Sequence, residues 1–153
     1  MKNMYFNDEE INFDDLYYIC YMIEKVARKI HQPNSYIVNK LGKENLYHLI
    51  SCAQTLHCMN PKQVEADWIS DYDLQSGTHD VTNVDNELCS TIPTELQIGK
   101  VYARLIDSVD KDYLKGITEV YNSEICKTID NYNSSAYYEP SYVLTKAYYD
   151  GGF

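Results

Sequence analysis

The chain has 153 residues, 44% of them hydrophobic, and a formal net charge of −10. This length suffices for one buried core, while the negative charge argues against binding to a nucleic-acid backbone or an anionic membrane, since both need a basic surface. The first ten residues lack the apolar run of a signal peptide, and the five cysteines form no CxxC pair. We therefore expect a cytoplasmic protein with reduced thiols.

Apolar side chains recur at three- and four-residue steps through residues 1–73, which is typical of amphipathic helices. We expect these residues to form an N-terminal helical unit. Asparagine caps, a terminal glycine and a proline at a first helical position mark the helix ends. The predicted helices are Asn12 to about His31, a short helix ended by Gly42, a stripe from Leu46 to His57, and a helix opened by Asn60-Pro61.

Residues 74–93 show neither helical nor strand periodicity and are rich in turn residues, so we predict an irregular acidic loop or arm. Residues 94–153 form a second, tyrosine-rich helical unit, and we expect one core shared by both units. Its helices are predicted to begin at Thr94, near Asp110, at Ser123 and at Pro140, and the last to end at Gly151. The predicted fold class is all-α, a compact bundle of about seven or eight short helices.

The stretch between Lys62 and Lys100 is acidic and contains no lysine or arginine. Uncompensated carboxylates repel one another in the compact state, so a surface of this kind often faces a basic partner. The alternative is a solvated acidic loop with no binding role. The partner-binding candidates in this stretch are Glu65, Asp67, Asp71, Asp73, Asp80, Asp85 and Glu87.

Tyrosine is unusually frequent, with 16 residues against three phenylalanines, and it crowds the C-terminal tail. A tyrosine ring is apolar with a polar tip, which suits both protein interfaces and half-buried helix faces. Both readings stay open for the tail, because some rings must pack onto the core. The tyrosines that we predict to contact a partner are Tyr137, Tyr138, Tyr142 and Tyr149.

No catalytic or cofactor motif is present, and we assign no catalytic residue, metal ligand or cofactor. His48 and Cys52 lie one helical turn apart with His57 just beyond, but a structural zinc site needs four convergent ligands. A core or boundary histidine is the favoured reading of His57. His79, between Thr78 and Asp80 in the irregular loop, is the other residue that could carry chemistry.

Residues 16–72, approximately, resemble a family of short, uncharacterised bacterial proteins. The family pattern combines an apolar helix with Cys and Glu, a leucine ending the second helix, a Leu-His pair and a later helix with Val and Asp. The matching residues are Ile19-Cys20-Tyr21-Met22-Ile23-Glu24, Ala27, Leu41, Leu56-His57, Val64 and Asp67. Members are typically encoded beside ADP-ribosyltransferase-like toxins, so the resemblance implies an accessory or antitoxin-like role with such a toxin as partner.

We therefore predict a non-enzymatic protein-binding factor, antitoxin- or immunity-like, that occludes a basic groove on a partner enzyme. Two alternatives stay open. One is a small nucleotide- or metal-binding enzyme that uses His79 or His57, and the other is an acidic anti-defence protein that imitates nucleic acid. The oligomeric state is also open, because the apolar stripe of residues 16–30 could face a second copy of the chain.

Overall fold

The chain forms eight α-helices and no β-strand in the computed structural model, which describes all 153 residues. The predicted all-α class and helix number are therefore confirmed. None of the helices has both the length and the apolar composition needed to cross a membrane. The helices are α1 (Phe13–Ile30), α2 (Asn34–Ser51), α3 (Ala53–His57), α4 (Pro61–Asp71), α5 (Glu95–Val109), α6 (Tyr113–Tyr121), α7 (Glu124–Ile129) and α8 (Ser141–Asp150), with 3₁₀ turns at Tyr132–Ser134 and Ala136–Tyr138.

Local side-chain chemistry sets the helix starts where the sequence predicts them. Asn12 and Asp15 form a capping box, in which the Asn12 side chain accepts from the Asp15 N–H at 3.0 Å and the Asp15 carboxylate accepts from the Asn12 N–H at 2.9 Å. The Asn60 side chain caps α4 by accepting from the backbone N–H of Lys62 at 2.9 Å. A second capping box, between Thr94 and Gln97, opens α5.

Two breaks interrupt the helical residues between Asn34 and His57. Gly42 has φ 74°, a left-handed value that glycine adopts without strain, and it kinks α2 where the sequence predicts a helix end. Cys52 leaves helical geometry and separates α3 from α2. His57 does not lie in the core, because only Ala53, one helical turn before it in the short helix α3, is buried on that face. His57 is exposed, edge-on to the ring of Tyr18 with the centroids 5.4 Å apart.

Helix α1 is the central element and packs against α2, α4 and α5. The buried side chains of residues 1–73 and 94–153 belong to a single cluster that includes Ile19, Ile23, Ile98 and Tyr102. Helices α1 and α5 approach closely at Gly99, where a Cβ atom would lie 2.8 Å from the backbone of Tyr21. Glycine at this position therefore permits the α1–α5 contact.

The loop of residues 74–93 is tied to the helices along its whole length. Its ends are anchored by the buried side chains of Leu74 and Cys89, and Val81 and Val84 pack against the core between them. The predicted irregular loop is confirmed, since these residues form no helix or strand. Its hydrogen bonds to the rest of the chain include Gly77 N–H to Ile30 O (2.8 Å), His79 N–H to His31 O (2.9 Å) and Asp85 N–H to Asn133 Oδ1 (2.9 Å).

Gly99→Val is expected to destabilise the protein, because a branched side chain there must push α5 away from α1. Overpacking of this kind costs about 1–3 kcal/mol in the free energy of unfolding, measurable by urea denaturation. Arg104→Val, an exposed position in the same helix, is the matched control and is expected to cost less than about 1 kcal/mol. Equal losses for the two variants would show that valine in α5, not the close contact, causes the effect.

Candidate binding surface and polar cleft

Two of the eight acidic residues between Lys62 and Lys100 are paired with cations of the fold. The Glu65 carboxylate lies 3.8 Å from Lys25 Nζ and is mostly buried, while the Glu95 carboxylate lies 3.9 Å from Arg28 Nη1. Glu65 therefore has an intramolecular partner and little free surface. It does not belong to the exposed acidic set that the sequence predicts.

The other six carboxylates have no lysine or arginine nitrogen within 4.0 Å, and we call them the acidic strip. Asp67 is half-buried and the others are exposed. Some of these carboxylates also accept hydrogen bonds from residues of the same turn. The Asp80 carboxylate accepts from the Thr82 hydroxyl at 2.6 Å and from its N–H at 3.0 Å, and these bonds lower the pKa of Asp80. The acidic strip consists of Asp67, Asp71, Asp73, Asp80, Asp85 and Glu87.

The predicted tyrosines divide into one buried and three exposed residues. Tyr137 is only 8% exposed, with its hydroxyl 3.8 Å from the Cys89 thiol, so it packs inside the protein and offers no surface to a partner. Tyr138, Tyr142 and Tyr149 are 71%, 77% and 65% exposed. These three remain as aromatic groups at the surface, and we call them the exposed tyrosines.

A buried ion pair lies beneath the loop, and sequence reasoning assigned it no role. Glu24 in α1 is 1% exposed, and its carboxylate accepts from Arg28 Nε at 3.1 Å, from Asn34 Nδ2 at 2.6 Å and from the Tyr132 hydroxyl at 2.5 Å. Arg28 also donates to the backbone oxygen of Pro93 at 2.8 Å, and its guanidinium lies over the Tyr132 ring. Glu24 follows Cys20 by four residues on the apolar stripe, which is the signal that predicts its burial.

Asp130, which follows α7, is a second carboxyl beside this ion pair. It accepts from the Tyr102 hydroxyl at 2.5 Å and from Asn34 Nδ2 at 3.3 Å, so the Asn34 amide bridges Asp130 and Glu24. Burial and the negative charge of Glu24 raise the pKa of Asp130 to about 7. Glu24 is thus paired with Arg28, whereas Asp130 has no lysine or arginine nitrogen within 4.0 Å.

Asp130 also lines an open cleft of about 430 Å³ between the loop and the segment 121–133. The start of α2 closes one side through Pro33 and Ser35. The rim carries mostly polar side chains, whose amide oxygens and nitrogens can both accept and donate hydrogen bonds. These polar lining residues include His79, Asp80, Asn83, Asn122, Asn131 and Asn133.

His79 and His57 lie in different cavities. His79 lines the polar cleft, whereas His57 lines a larger apolar groove of about 710 Å³ with Tyr17, Tyr18 and Met59. The structure contains no group of three or more His, Cys, Asp or Glu side chains arranged to hold a metal ion. The two histidines therefore cannot act together. Each shares its cavity with a carboxyl group that is at least half-buried, Asp130 in the cleft of His79 and Asp15 in the groove of His57.

No protein-family model, curated protein or solved structure matches the chain. The case for function therefore depends on the geometry of the acidic strip, the exposed tyrosines and the cleft.

Arg28→Met is expected to destabilise the protein strongly, because it leaves the buried carboxylate of Glu24 without its cation. Breaking a buried ion pair from one side costs about 3–5 kcal/mol in the free energy of unfolding. The double variant Glu24→Gln/Arg28→Met is expected to recover most of this loss, since no buried charge is then left unpaired. Urea denaturation of wild type, both single variants and the double variant gives the four free energies of unfolding of this double-mutant cycle. If the losses in the free energy of unfolding of the two single variants simply add up in the double variant, the pairing of Glu24 and Arg28 is contradicted.

The stability of wild type is expected to fall relative to Asp130→Asn as the pH rises toward 7. Because folding raises the pKa of Asp130 from 3.8 to about 7, the folded chain holds the extra proton between these values. The contribution of Asp130 to stability is complete below the lower value and is lost as pH rises through the upper one. Urea denaturation between about pH 4 and pH 8 measures this difference.

Asp80→Asn is the control for this titration, because the pKa of Asp80 is lowered in the folded protein and its stabilising contribution is lost only toward acidic pH. The stability difference between wild type and Asp80→Asn should stay constant from about pH 5 to pH 8. If the stability difference between wild type and Asp130→Asn also stays constant over this pH range, Asp130 titrates as an ordinary carboxyl.

Proposed function

We propose that this protein is a non-enzymatic binding factor, antitoxin- or immunity-like, that covers a basic groove on a partner enzyme. The observation that supports it best is the acidic strip, six carboxylates without a lysine or arginine partner in their own fold. The loop that carries three of the six is held by hydrogen bonds and by the buried side chains of Leu74 and Cys89. A partner would thus meet a preformed surface and would not have to order a flexible segment.

The unpaired carboxylates would act mainly on the rate of association. Charges of one sign on a surface attract an oppositely charged partner and raise association rates about 10- to 1,000-fold at low salt. In the free protein the same charges repel one another. A basic partner relieves this repulsion, so the strip contributes to complex formation beyond its direct contacts.

The exposed tyrosines would act mainly on the rate of dissociation. Aromatic side chains that become buried in a complex are enriched among the residues that carry most of the binding free energy. Tyr142 and Tyr149 are seven residues apart in α8 and share one face of that helix. They present two aromatic anchors along a single line.

The partner proposed here is an ADP-ribosyltransferase-like toxin, as the resemblance of residues 16–72 implies. An enzyme that binds an anionic nucleotide needs a basic groove, and a carboxylate-rich surface is complementary to such a groove. Binding over the groove would inhibit the enzyme by steric occlusion.

A second candidate function is binding of a small nucleotide through His79, which lines the polar cleft together with amide side chains. Thermal shift against a panel of nucleotides and metals tests this, since a ligand that prefers the folded state raises its apparent melting temperature. Competition with DNA or RNA for a nuclease tests the other alternative, an imitation of nucleic acid by the acidic strip.

The quadruple variant Asp71→Asn, Asp73→Asn, Asp80→Asn and Asp85→Asn is expected to slow association with a candidate toxin about tenfold or more at low salt. The salt dependence of the association rate should weaken as well, because fewer charges steer the encounter. Tyr142→Ala is expected to raise the dissociation rate instead, as loss of a buried aromatic anchor does. Surface-immobilised toxin and biolayer interferometry at two salt concentrations measure both rates.

A second quadruple variant provides the control, with the same change of net charge made outside the acidic strip. Its substitutions are Asp8→Asn, Glu9→Gln, Asp14→Asn and Glu44→Gln, all at exposed positions. If both quadruple variants slow association equally, net charge and not the strip is responsible. An unchanged affinity of the strip variant would exclude the strip as the contact.

A further inference from the structure

We infer that the polar cleft between residues 79–84 and 121–133 is a binding site for a guanidinium group. The cleft has an open mouth and a volume of about 430 Å³, which exceeds that of an arginine side chain. Its floor is formed in part by Asp130, a half-buried carboxyl. A guanidinium donates in a planar fork, and a carboxylate surrounded by amide oxygens supplies matching acceptors.

Negative charge exceeds positive charge in and beneath the cleft. Behind its floor, Arg28 serves the carboxylates of Glu24 and Glu95 while Asp130 has no cation of its own. At the rim Asp80 is exposed and unpaired. The surplus therefore favours a cationic occupant.

The cations near the mouth do not cancel this surplus. Lys127 lines the cleft, but its Nζ pairs with the Glu124 carboxylate at 2.9 Å. A guanidinium entering the cleft would thus be the first cation available to Asp130 from the solvent side.

The protein already binds one guanidinium on the inner side of the same group of residues. Arg28 uses a carboxylate, a backbone oxygen, the Tyr132 hydroxyl and the face of the Tyr132 ring, whose centroid lies 5.6 Å from Arg28 Cζ. The outer side is lined by Asp130, by asparagine side chains and by part of Tyr132. These are the same kinds of acceptor and ring, placed where a second guanidinium can reach them.

A guanidinium could arrive on a free small molecule or on an arginine side chain of a partner protein. The second source rests on the proposed function, because it requires a partner to dock over the loop. Two probes distinguish the sources: agmatine, a free guanidinium compound, and the blocked tripeptide acetyl-Gly-Arg-Gly-amide. Tighter binding of the tripeptide supports an arginine in a protein, and tighter binding of agmatine supports a small molecule.

The test is a titration of the full chain with both probes, followed by ¹H–¹⁵N NMR. Amide shifts are expected at residues 79–84 and 121–133, and Asp130→Asn should weaken binding about tenfold or more, as loss of a charged hydrogen-bond acceptor does. Calorimetry near pH 7 should also show proton release, seen as a binding enthalpy that depends on the buffer, because a bound cation lowers the raised pKa of Asp130. Proton release should be lost in Asp130→Asn.

Asp80→Asn at the rim provides a second test, in case Asp130→Asn perturbs the fold, and is expected to weaken binding several-fold. Glu44→Gln, an exposed carboxyl outside the cleft, should leave binding unchanged. Absence of shifts in the cleft with either probe, or equal affinity in wild type, Asp130→Asn and Asp80→Asn, overturns the inference. The proposed function fails by a separate result, an unaltered toxin affinity of the quadruple strip variant.

Discussion

The buried ion pair of Glu24 and Arg28 is the interaction on which the arrangement of the loop and the cleft depends. Glu24 receives hydrogen bonds from α1, from the start of α2 and from Tyr132, while Arg28 holds the backbone of Pro93 at the far end of the loop. Four segments distant in sequence are therefore joined by one pair of charges. Charges so deeply buried are tolerated only when almost every hydrogen-bonding position is satisfied, which fixes the relative placement of these segments.

The pairing of Arg28 with Glu24 also explains why the cleft carries a negative charge. Arg28 pairs with the carboxylates of Glu24 and Glu95, which leaves Asp130 without a cation. The raised pKa of Asp130 keeps its carboxyl partly protonated, which reduces the unpaired negative charge. Asp130 also lies where the cleft opens. Besides the acidic strip, Asp130 is thus a second place at which the protein leaves a carboxyl group without a lysine or arginine partner.

Features set by neighbouring residues could be predicted from the sequence, and features set by distant ones could not. The caps at Asn12, Asn60 and Thr94 follow from residues within one helical turn, and these three helices start where the sequence predicts them. The pairing of Glu65 with Lys25 and the burial of Tyr137 depend on packing between elements far apart in sequence. The cleft was missed for the same reason: Asp130 and His79 are 51 positions apart, and only the folded loop brings them to one cavity.

Asp80 belongs both to the acidic strip and to the rim of the cleft, so the two sites cannot be electrostatically independent. Charges within about 8 Å of each other interact appreciably at physiological salt. A free guanidinium compound in the cleft would reduce the negative field near Asp80 and so slow the approach of a basic partner. A guanidinium carried by the partner would instead add its own attraction to the field that guides it. The cleft therefore strengthens the proposed complex only when its cation arrives with the partner, and for a binding factor of this kind an arginine side chain is the more consistent occupant.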